Sequence, residues 1–265
     1  MSSAALADLE LELQAELFEH LATSPAAEVR RDGGALAVAT GARANTLNGV
    51  VCSGLAGDAD AVIADLVAWF GRRRLPASWV CPELGDLRDS LVVAGCREET
   101  SAVQIAFGLD AVPAAPTGLV EVDTVLSEPE LAQWLDLAEA CGWFESSDER
   151  RALETLKLSF GFDARRPWVD YVARADGRPV GFATAFFGRR ALLLDAVGVR
   201  SEDRRRGVGT ALVQARLADA RRRGLSLAAL GPSPDGARLY AALGLVPTPV
   251  APGRWFYLPL PGDEL

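Results

Sequence analysis

The segment from residue 191 to residue 223 constrains the fold of this chain more than any other. An apolar run, residues 191–199, passes into a turn rich in Arg and Gly, residues 200–207, and then into a long pattern of helical spacing. The run predicts a buried strand, and the spacing predicts an amphipathic helix. The first amides of such a helix have no internal partner and lie at the positive end of its dipole, so this turn suits a phosphate group. The chain is therefore expected to be an α/β protein with an anion site at this turn.

The length and the position of one proline-rich stretch predict two domains. The chain has 265 residues, more than a typical domain of about 100–200. The stretch PAAPTG predicts a linker over residues 113–118, between an N-terminal domain of residues 1–112 and a C-terminal domain of residues 119–265. No apolar run reaches the roughly 20 residues that a membrane helix needs, and the acidic N-terminal stretch is unlike a secretion signal. We expect a cytoplasmic protein with no membrane partner.

The charge and the metal-ligating residues limit the classes of function. A net charge of −9 opposes binding to nucleic acid and favours cationic ligands such as amines. The four cysteines are widely spaced without a CxxC pair, and the chain has one histidine, His20. We therefore expect buried free thiols and no metal site.

The apolar periodicity predicts similar orders of elements in the two halves. Before the linker we expect helices at 6–22, 58–73 and 86–94, with strands at 36–40, 46–52 and 78–81. After the linker we expect helices at 128–141, 147–158, 208–223 and 236–243, with strands at 119–125, 169–174, 179–187, 191–199, 226–230 and 254–260. The Asp176-Gly177 pair predicts a tight hairpin turn. The faint likeness between the halves indicates a duplicated unit.

The turn before the long helix carries the sequence Arg204-Arg205-Arg206-Gly207-Val208-Gly209. It is neither a GxxxxGK[ST] loop nor a GxGxxG turn, which leaves nucleotide hydrolysis and dinucleotide binding without support. It resembles the signature of the GNAT superfamily of N-acetyltransferases, in which Arg or Gln is followed by two residues, Gly, one residue, and Gly or Ala. The resemblance covers about residues 118–260. Arg205 departs from it, because many members have glycine there, and so does Ser201, where proline is common.

The resemblance implies a fold of two tandem GNAT-like domains. Each would be a mixed, mostly antiparallel twisted sheet flanked by helices. The N-terminal half has CSGLAGDAD at the equivalent turn, and its Asp58 and Asp60 would repel a pyrophosphate. That half is expected to be a degenerate GNAT-like domain.

The resemblance also implies acetyl-CoA as the acyl-donor co-substrate. Amides from about Arg205 to Thr210 would bind the pyrophosphate, and the backbone of Val197 and Val199 would pair with the pantetheine arm and polarise the acyl carbonyl. The expected cofactor-binding residues are Val197, Val199, Arg204, Arg205, Arg206, Gly207, Val208, Gly209, Thr210 and Ser233. The alternative is that the glycines serve tight packing and the arginines form a solvated turn.

Two residues are candidates for proton transfer. The segment SPDGARLYAALGL resembles the family's Asn-x-x-Ala-x-x-Leu-Tyr stretch, with Ser233 at the asparagine and Tyr240 at the tyrosine. Tyr240 is expected to protonate the CoA thiolate. The alternative is that Tyr240 is a tyrosine of the hydrophobic core. Asp195 is expected on the same strand face as Val197 and Val199, where it would accept a proton from the amine or attract its charge. The alternative for Asp195 is a strand-end aspartate bonded to nearby backbone.

These observations together predict an N-acetyltransferase that moves an acetyl group from acetyl-CoA to the amine of a small molecule by direct attack. A protein amino group is the second choice of acceptor. A non-catalytic acyl-CoA sensor is the alternative from another class, and a homodimer is left open.

Overall fold

The computed structural model describes residues 9–52, 54–80, 87–99, 103–112, 120–249 and 255–259. Within these ranges, the N-terminal half has three α-helices and six strands. They are α1 (Leu9–Leu21), β1 (Glu28–Asp32), β2 (Ala35–Ala39), β3 (Gly49–Cys52), α2 (Ala59–Arg73), β4 (Ala77–Val80), α3 (Leu87–Val93), β5 (Arg97–Glu98) and β6 (Val103–Gly108).

The elements of the C-terminal half are four helices and seven strands, within the residues that the structure describes. They are β7 (Val120–Thr124), α4 (Glu128–Ala140), α5 (Ser147–Ser159), β8 (Trp168–Ala175), β9 (Arg178–Phe187), β10 (Leu192–Val199), α6 (Val208–Arg222), β11 (Leu227–Leu230), α7 (Pro234–Ala242), β12 (Thr248–Pro249) and β13 (Trp255–Leu258).

The strands form two sheets that exchange one strand in each direction. The first sheet has the order β1-β2-β3-β4-β13-β5, and the second has the order β12-β6-β11-β10-β9-β8-β7. β13, near the C-terminus, thus lies beside β4, and β6 of the N-terminal half lies beside β11. Sheet membership therefore does not follow the division predicted from sequence. The expected linker at 113–118 lies outside the described residues.

The same connection recurs in both sheets and supports a duplicated unit. In the first sheet β3 and β4 are parallel across α2, and in the second sheet β10 and β11 are parallel across α6. The other pairings are antiparallel among the described strands. The prediction of mixed, mostly antiparallel sheets flanked by helices is confirmed.

Helix α1 is buried between the two sheets. One core cluster joins Phe18 of α1 to Val38 and Val80 of the first sheet and to Phe186 and Leu193 of the second. A helix with sheets on both sides needs apolar residues around most of its surface. The alternating Leu and Glu residues of α1 therefore give it burial on both sides rather than one solvent-exposed stripe.

The second sheet has a helical layer on each face. On one face, called here the α1 face, α1, α4 and α5 pack around side chains such as Trp168 and Phe182. On the other, called the α6 face, α6 packs on side chains such as Ala183, Leu192 and Leu194. The two faces therefore present separate surfaces to any ligand that approaches β10.

Local turn chemistry is confirmed at one hairpin, and four strands, β1, β5, β6 and β12, were not predicted. Asp176 and Gly177 have φ angles of 50° and 73°, the left-handed values that a tight β8–β9 turn requires. β1 was missed because its sequence, EVRRD, is charged and has no apolar alternation. Its pairing with β2 decides its conformation.

No helix in the described part of the chain is long and apolar enough to cross a membrane. Cys96 and Cys141 are free thiols, and burial raises the pKa of Cys96 to about 12.

Candidate functional site

The strands β10 and β11 part from each other soon after they begin to pair. Their parallel register includes only Leu192 with Ala228 and Leu193 with Ala229. β10 continues to Val199, whereas β11 ends at Leu230. The edge of β10 beyond this point faces an opening, called here the β10–β11 gap.

The backbone of Val197 and Val199 faces this gap. The Arg200 amide donates to the Val180 carbonyl of β9 at 3.0 Å. In an antiparallel ladder, opposed residues alternate between hydrogen-bonded and non-hydrogen-bonded pairs. Val199 and Val197, opposite Gly181 and Ala183, therefore form the non-hydrogen-bonded pairs, and their N–H and C=O groups point away from β9. This arrangement agrees with the prediction that these two residues offer backbone groups to a ligand.

A β-bulge at Ala196 changes the direction of the neighbouring side chains. Asp195 is opposite Thr184, and Val197 is opposite the next residue of β9, Ala183, so Ala196 is an extra residue in β10. Directly opposed residues share a face of the sheet. Asp195 therefore lies on the α1 face, whereas Val197 and Val199 pack on the α6 face. The prediction that Asp195 shares a face with both valines is wrong, because period-two alternation stops at the bulge.

Asp195 has a strongly perturbed environment. Burial raises the pKa of its carboxyl, and the Ala196 amide, which hydrogen-bonds to it, and the charges of Lys157 and Arg216 act in the opposite direction. The hydrogen bond from the Ala196 amide agrees with the alternative interpretation of Asp195, a strand-end aspartate bonded to nearby backbone. Asp195 is half-buried and lies at the level where β10 and β11 separate.

The turn between β10 and α6 has the geometry of an anion site. After one 3-10 turn at Ser201–Asp203, Arg205 and Gly207 adopt left-handed φ angles of 64° and 81°. Gly207 is the N-cap of α6 and supplies no capping side chain. The first backbone bond of the helix is donated by Ala211 to the Gly207 carbonyl at 2.9 Å, so the amides of residues 208–210 precede the helical ladder. Those amides are available to an anion.

The buried Asp203 and the neighbouring arginines hold this turn in place. Asp203 accepts a hydrogen bond from Arg178 at 2.8 Å and lies 3.5 Å from the guanidinium of Arg206. Arg204 Nε donates to the Val199 carbonyl at 3.3 Å. Arg204 thereby connects the turn to the edge of β10.

The two glycines of the motif serve different purposes. A Cβ at Gly207 would have no atom within 4 Å, so glycine is needed there for its positive φ and leaves open space in front of the helix. A Cβ at Gly209 would lie 3.2 Å from Leu239 Cδ2. Gly209 therefore also permits α7 to pack closely against the first turn of α6. Both the phosphate-site interpretation and the packing interpretation of Gly209 have a structural basis.

The equivalent turn of the N-terminal half is already capped. Asp58 is the N-cap of α2, and its side chain accepts from the Ala61 amide at 3.1 Å. A carboxylate of the chain itself thus occupies the position where an anionic ligand would bind. This contrast supports assigning any phosphate site to α6.

Tyr240 lies on the α6 face near a buried arginine that the sequence analysis missed. Arg216, fully buried in α6, donates through Nη1 to the carbonyls of Thr184 at 2.9 Å and Asp195 at 2.8 Å. Burial lowers the pKa of Arg216, while Tyr240 acts in the opposite direction through charge and hydrogen bonding. The Tyr240 side chain is therefore placed at the α6 side of the bulge. The sequence signal was available, because Arg216 interrupts the apolar stripe that Val208 and Leu212 begin.

Ser233 caps helix α7. Its Oγ accepts from the Gly236 amide at 3.1 Å. The structure thus gives Ser233 a local role, and its predicted contact with a cofactor stays a prediction.

A buried polar network on the α1 face was not predicted from sequence. Lys157 Nζ lies 2.6 Å from Asp170 Oδ1, and Thr184 Oγ1 donates to the same oxygen at 2.7 Å. Lys157 also lies over the rings of Trp134 and Trp168, 4.5 Å and 3.8 Å from their centroids. The network fixes α5 against β8 and β9 beside Asp195.

A separate cavity of about 610 Å³ lies between α1 and the first sheet, where Gly34 and Val51 line it. Its acidic residues Glu16 and Glu19 lie 3.2 Å and 3.5 Å from nitrogens of Arg189. These ion pairs compensate two of the acidic residues that line the cavity, and no lining residue belongs to the turn before α6. Within the described ranges, no group of three His, Cys, Asp or Glu residues could hold a metal ion.

Comparison with known proteins assigns the strand–turn–helix unit to a family. Residues 129–245 match the model of the acetyltransferase (GNAT) family, and this range contains the gap, the turn and Tyr240. This chain carries a GNAT domain. The match agrees with the resemblance carried by Arg204, Gly207 and Gly209. No curated protein matches the sequence.

Solved structures extend the GNAT likeness over the whole chain. A GCN5-related N-acetyltransferase from Kribbella flavida superposes with a TM-score of 0.67 at 21% identity, covering 97% of each chain. A tandem GNAT protein from the clavulanic acid biosynthesis pathway gives 0.54 at 16% identity, covering 99% of this chain and 97% of that one. A GCN5-related N-acetyltransferase from Sphaerobacter thermophilus gives 0.54 at 21% identity, covering 88% and 79%. At these identities the comparisons establish the fold, and they confirm the predicted GNAT architecture.

Proposed function

We propose that this protein transfers an acetyl group from acetyl-CoA to the amine of a small molecule by direct attack. The observation that carries the proposal is the β10–β11 gap. It brings the backbone groups of Val197 and Val199 that point away from β9 next to the uncapped N-terminus of α6. An amide edge followed by an anion site suits an acyl donor whose thioester and pyrophosphate are joined by an extended arm.

The residues of the turn fit the pyrophosphate of such a donor. The amides of Val208, Gly209 and Thr210 would donate to it, and the open space at Gly207 would admit it. The guanidinium groups of Arg204, Arg205 and Arg206 would add positive charge. The fit is specific to α6, since the corresponding turn before α2 is closed by a carboxylate of its own.

The two faces of the sheet would supply different parts of the chemistry. In the gap, the Val199 amide would donate to the acyl oxygen, which gains negative charge as an amine attacks a thioester. On the α6 face, Tyr240 would give a proton to the departing sulfur. On the α1 face, Asp195 would attract the ammonium group of the acceptor or take its proton. The bulge makes this division possible, because it turns Asp195 away from the side on which Tyr240 lies.

The position of α1 favours a small acceptor over a folded protein. α1 lies against the α1 face of the second sheet, and the first sheet covers its other side. A substrate that approaches Asp195 on the α1 face would pass close to this helix. A slender amine fits that approach better than a bulky protein surface.

The proposal is tested by thiol release from acetyl-CoA across a panel of small amines, with calorimetric titration of acetyl-CoA in parallel. We expect saturable binding and turnover with at least one amine. Asp195→Asn should lower turnover at neutral pH more than it lowers acetyl-CoA affinity. Tight binding of acetyl-CoA without turnover on any amine would contradict the enzyme and support the sensor. Absence of binding would contradict both.

A further inference from the structure

Helix α1 places one carboxylate at the mouth of the β10–β11 gap. A Cβ built on Gly231, the residue that follows β11, would lie 2.7 Å from Glu10 Oε1. The Glu10 amide donates to Gln104 Oε1 of β6, beside β11, at 3.4 Å. Two turns further along α1, Glu16 contacts Gly188, before the start of β10. The helix thus runs across β10 and β11 with Glu10 at the level where they separate.

The Glu10 side chain is buried without a hydrogen-bonding partner among the described residues. It is 5% exposed, and Gly231 leaves room for its carboxylate against the backbone. A largely buried carboxylate without a donor is unfavourable unless a proton, a cation or solvent at the mouth of the gap compensates it. The position of Glu10 is therefore hard to explain by packing alone.

Glu10 and Asp195 both place carboxyl groups on the α1 face. Burial, and secondarily the charge of Asp195, raise the pKa of Glu10 to about 8. The cations that act on Asp195 are occupied elsewhere: Lys157 is paired with Asp170, and Arg216 reaches the Asp195 carbonyl from the α6 face. Across α1, strands β2, β3 and β4 carry no Asp, Glu, Lys or Arg. The pair thus has no cation of its own among the described residues.

The two carboxyl groups have different surroundings. Burial raises the pKa of Asp195, but the Ala196 amide donates to it and favours its ionised form, whereas Glu10 has no such donor among the described residues. When environments separate the pKa values of two neighbouring acids, one stays charged while the other exchanges a proton near neutral pH. Asp195 suits the charged role, and Glu10 suits proton transfer.

We propose that Glu10, from the N-terminal half, completes the acceptor site of the GNAT domain: Glu10 and Asp195 bind the ammonium group of a cationic amine, and Glu10 removes its proton. This inference rests on the proposed function and assigns Glu10 as the base that deprotonates the acceptor amine. The first proton passes from the ammonium nitrogen to the Glu10 carboxylate and then to solvent. The free amine forms the C–N bond as the C–S bond breaks. The nitrogen then loses its second proton to solvent, Tyr240 gives its proton to the departing sulfur, and Tyr240 regains a proton from solvent, so that one proton is released overall.

The test compares Glu10→Gln with Glu16→Gln, a matched change on the same helix that lies at the other end of β10. Glu10→Gln should lower kcat/KM for the amine at pH 7 by about 100-fold or more. The titration near pH 8 in the wild-type pH profile should disappear. Affinity for acetyl-CoA and the thermal midpoint should not fall, because an uncompensated buried acid is removed. Glu16→Gln should keep the wild-type profile. An unchanged amine kcat/KM and pH profile in Glu10→Gln would overturn the proposal, and so would an equal loss in both variants.

A binding measurement separates failure of this inference from failure of acetyl transfer. Butane-1,4-diamine is titrated calorimetrically into the wild type and Glu10→Gln, each saturated with CoA. Binding that is lost only in Glu10→Gln supports the cation site even if no amine is acetylated. Equal binding by both proteins, or no binding by the wild type, would refute the site whatever the transferase assay shows.

Discussion

Replacing Gly207 by Glu tests the phosphate site at the N-terminus of α6, and the chain supplies its own control. Gly207 has φ 81° and no atom within 4 Å of a built Cβ. Gly57, in the equivalent turn before α2, has φ 80° and the same open surroundings. Gly57→Glu therefore introduces the same side chain at the same backbone angle, in a turn that Asp58 already caps.

The two variants should differ in affinity for CoA and not in backbone strain. A left-handed L-residue costs about 1–2 kcal/mol, and both variants bear this cost. At Gly207 the new carboxylate also faces the pyrophosphate. Like charges about 6 Å apart repel by roughly 3 kcal/mol at an effective dielectric constant near 20. Since about 1.4 kcal/mol is a tenfold change, Gly207→Glu should weaken CoA binding by at least about 100-fold.

Calorimetric titration with CoA at one fixed salt concentration measures this difference, and thermal unfolding of each variant measures the shared strain. We expect similar losses of stability in the two variants and loss of CoA affinity in Gly207→Glu alone. Wild-type affinity in Gly207→Glu, or equal weakening in both variants, would show that the turn before α6 is not the phosphate site.

Further predictions concern the acid, the strained turn and the buried carboxyl group. Tyr240→Phe should lower kcat by about 100-fold and change acetyl-CoA affinity by no more than a few-fold, whereas Tyr257→Phe in β13 should leave kcat unchanged. Steady-state kinetics with an active amine measure kcat, and an unchanged kcat in Tyr240→Phe would show that Tyr240 is not the acid. Arg205→Gly should keep or raise the free energy of unfolding by up to about 1 kcal/mol, because glycine relieves the left-handed angle; a loss in urea titration would contradict this. The raised pKa of Glu10 favours folding below its unfolded pKa of 4.5, and this contribution is lost as the pH rises through about 8. Glu10→Gln should therefore reduce the change in the free energy of unfolding between pH 4.5 and about 8 by several kcal/mol, at about 1.4 kcal/mol per pKa unit. If the free energy of unfolding of Glu10→Gln varied with pH in parallel with that of the wild type, Glu10 would not be buried in this way.

The sequence by itself determined the local structure around the donor site. Period-two and helical spacing predicted β10 and α6, and the two glycines with the arginines identified the turn between them. These features depend on neighbours along the chain, namely helix-terminal amides, positive φ angles and alternating apolar residues. The one strand-level error near the site, the face of Asp195, came from a bulge at Ala196 that carries no glycine or other turn residue to mark it.

Tertiary structure decided how the two halves depend on each other. The exchange of β6 and β13 requires pairing between strands far apart in sequence, and no local pattern specifies which sheet edge a strand will join. The burial of α1 on both sides likewise arises only when two sheets close over it. That closure places Glu10 on the same face of the second sheet as Asp195, 185 residues later in the chain. Spacing along the sequence cannot encode this arrangement, because the two residues belong to different elements. They come to the same place only where β10 and β11 separate.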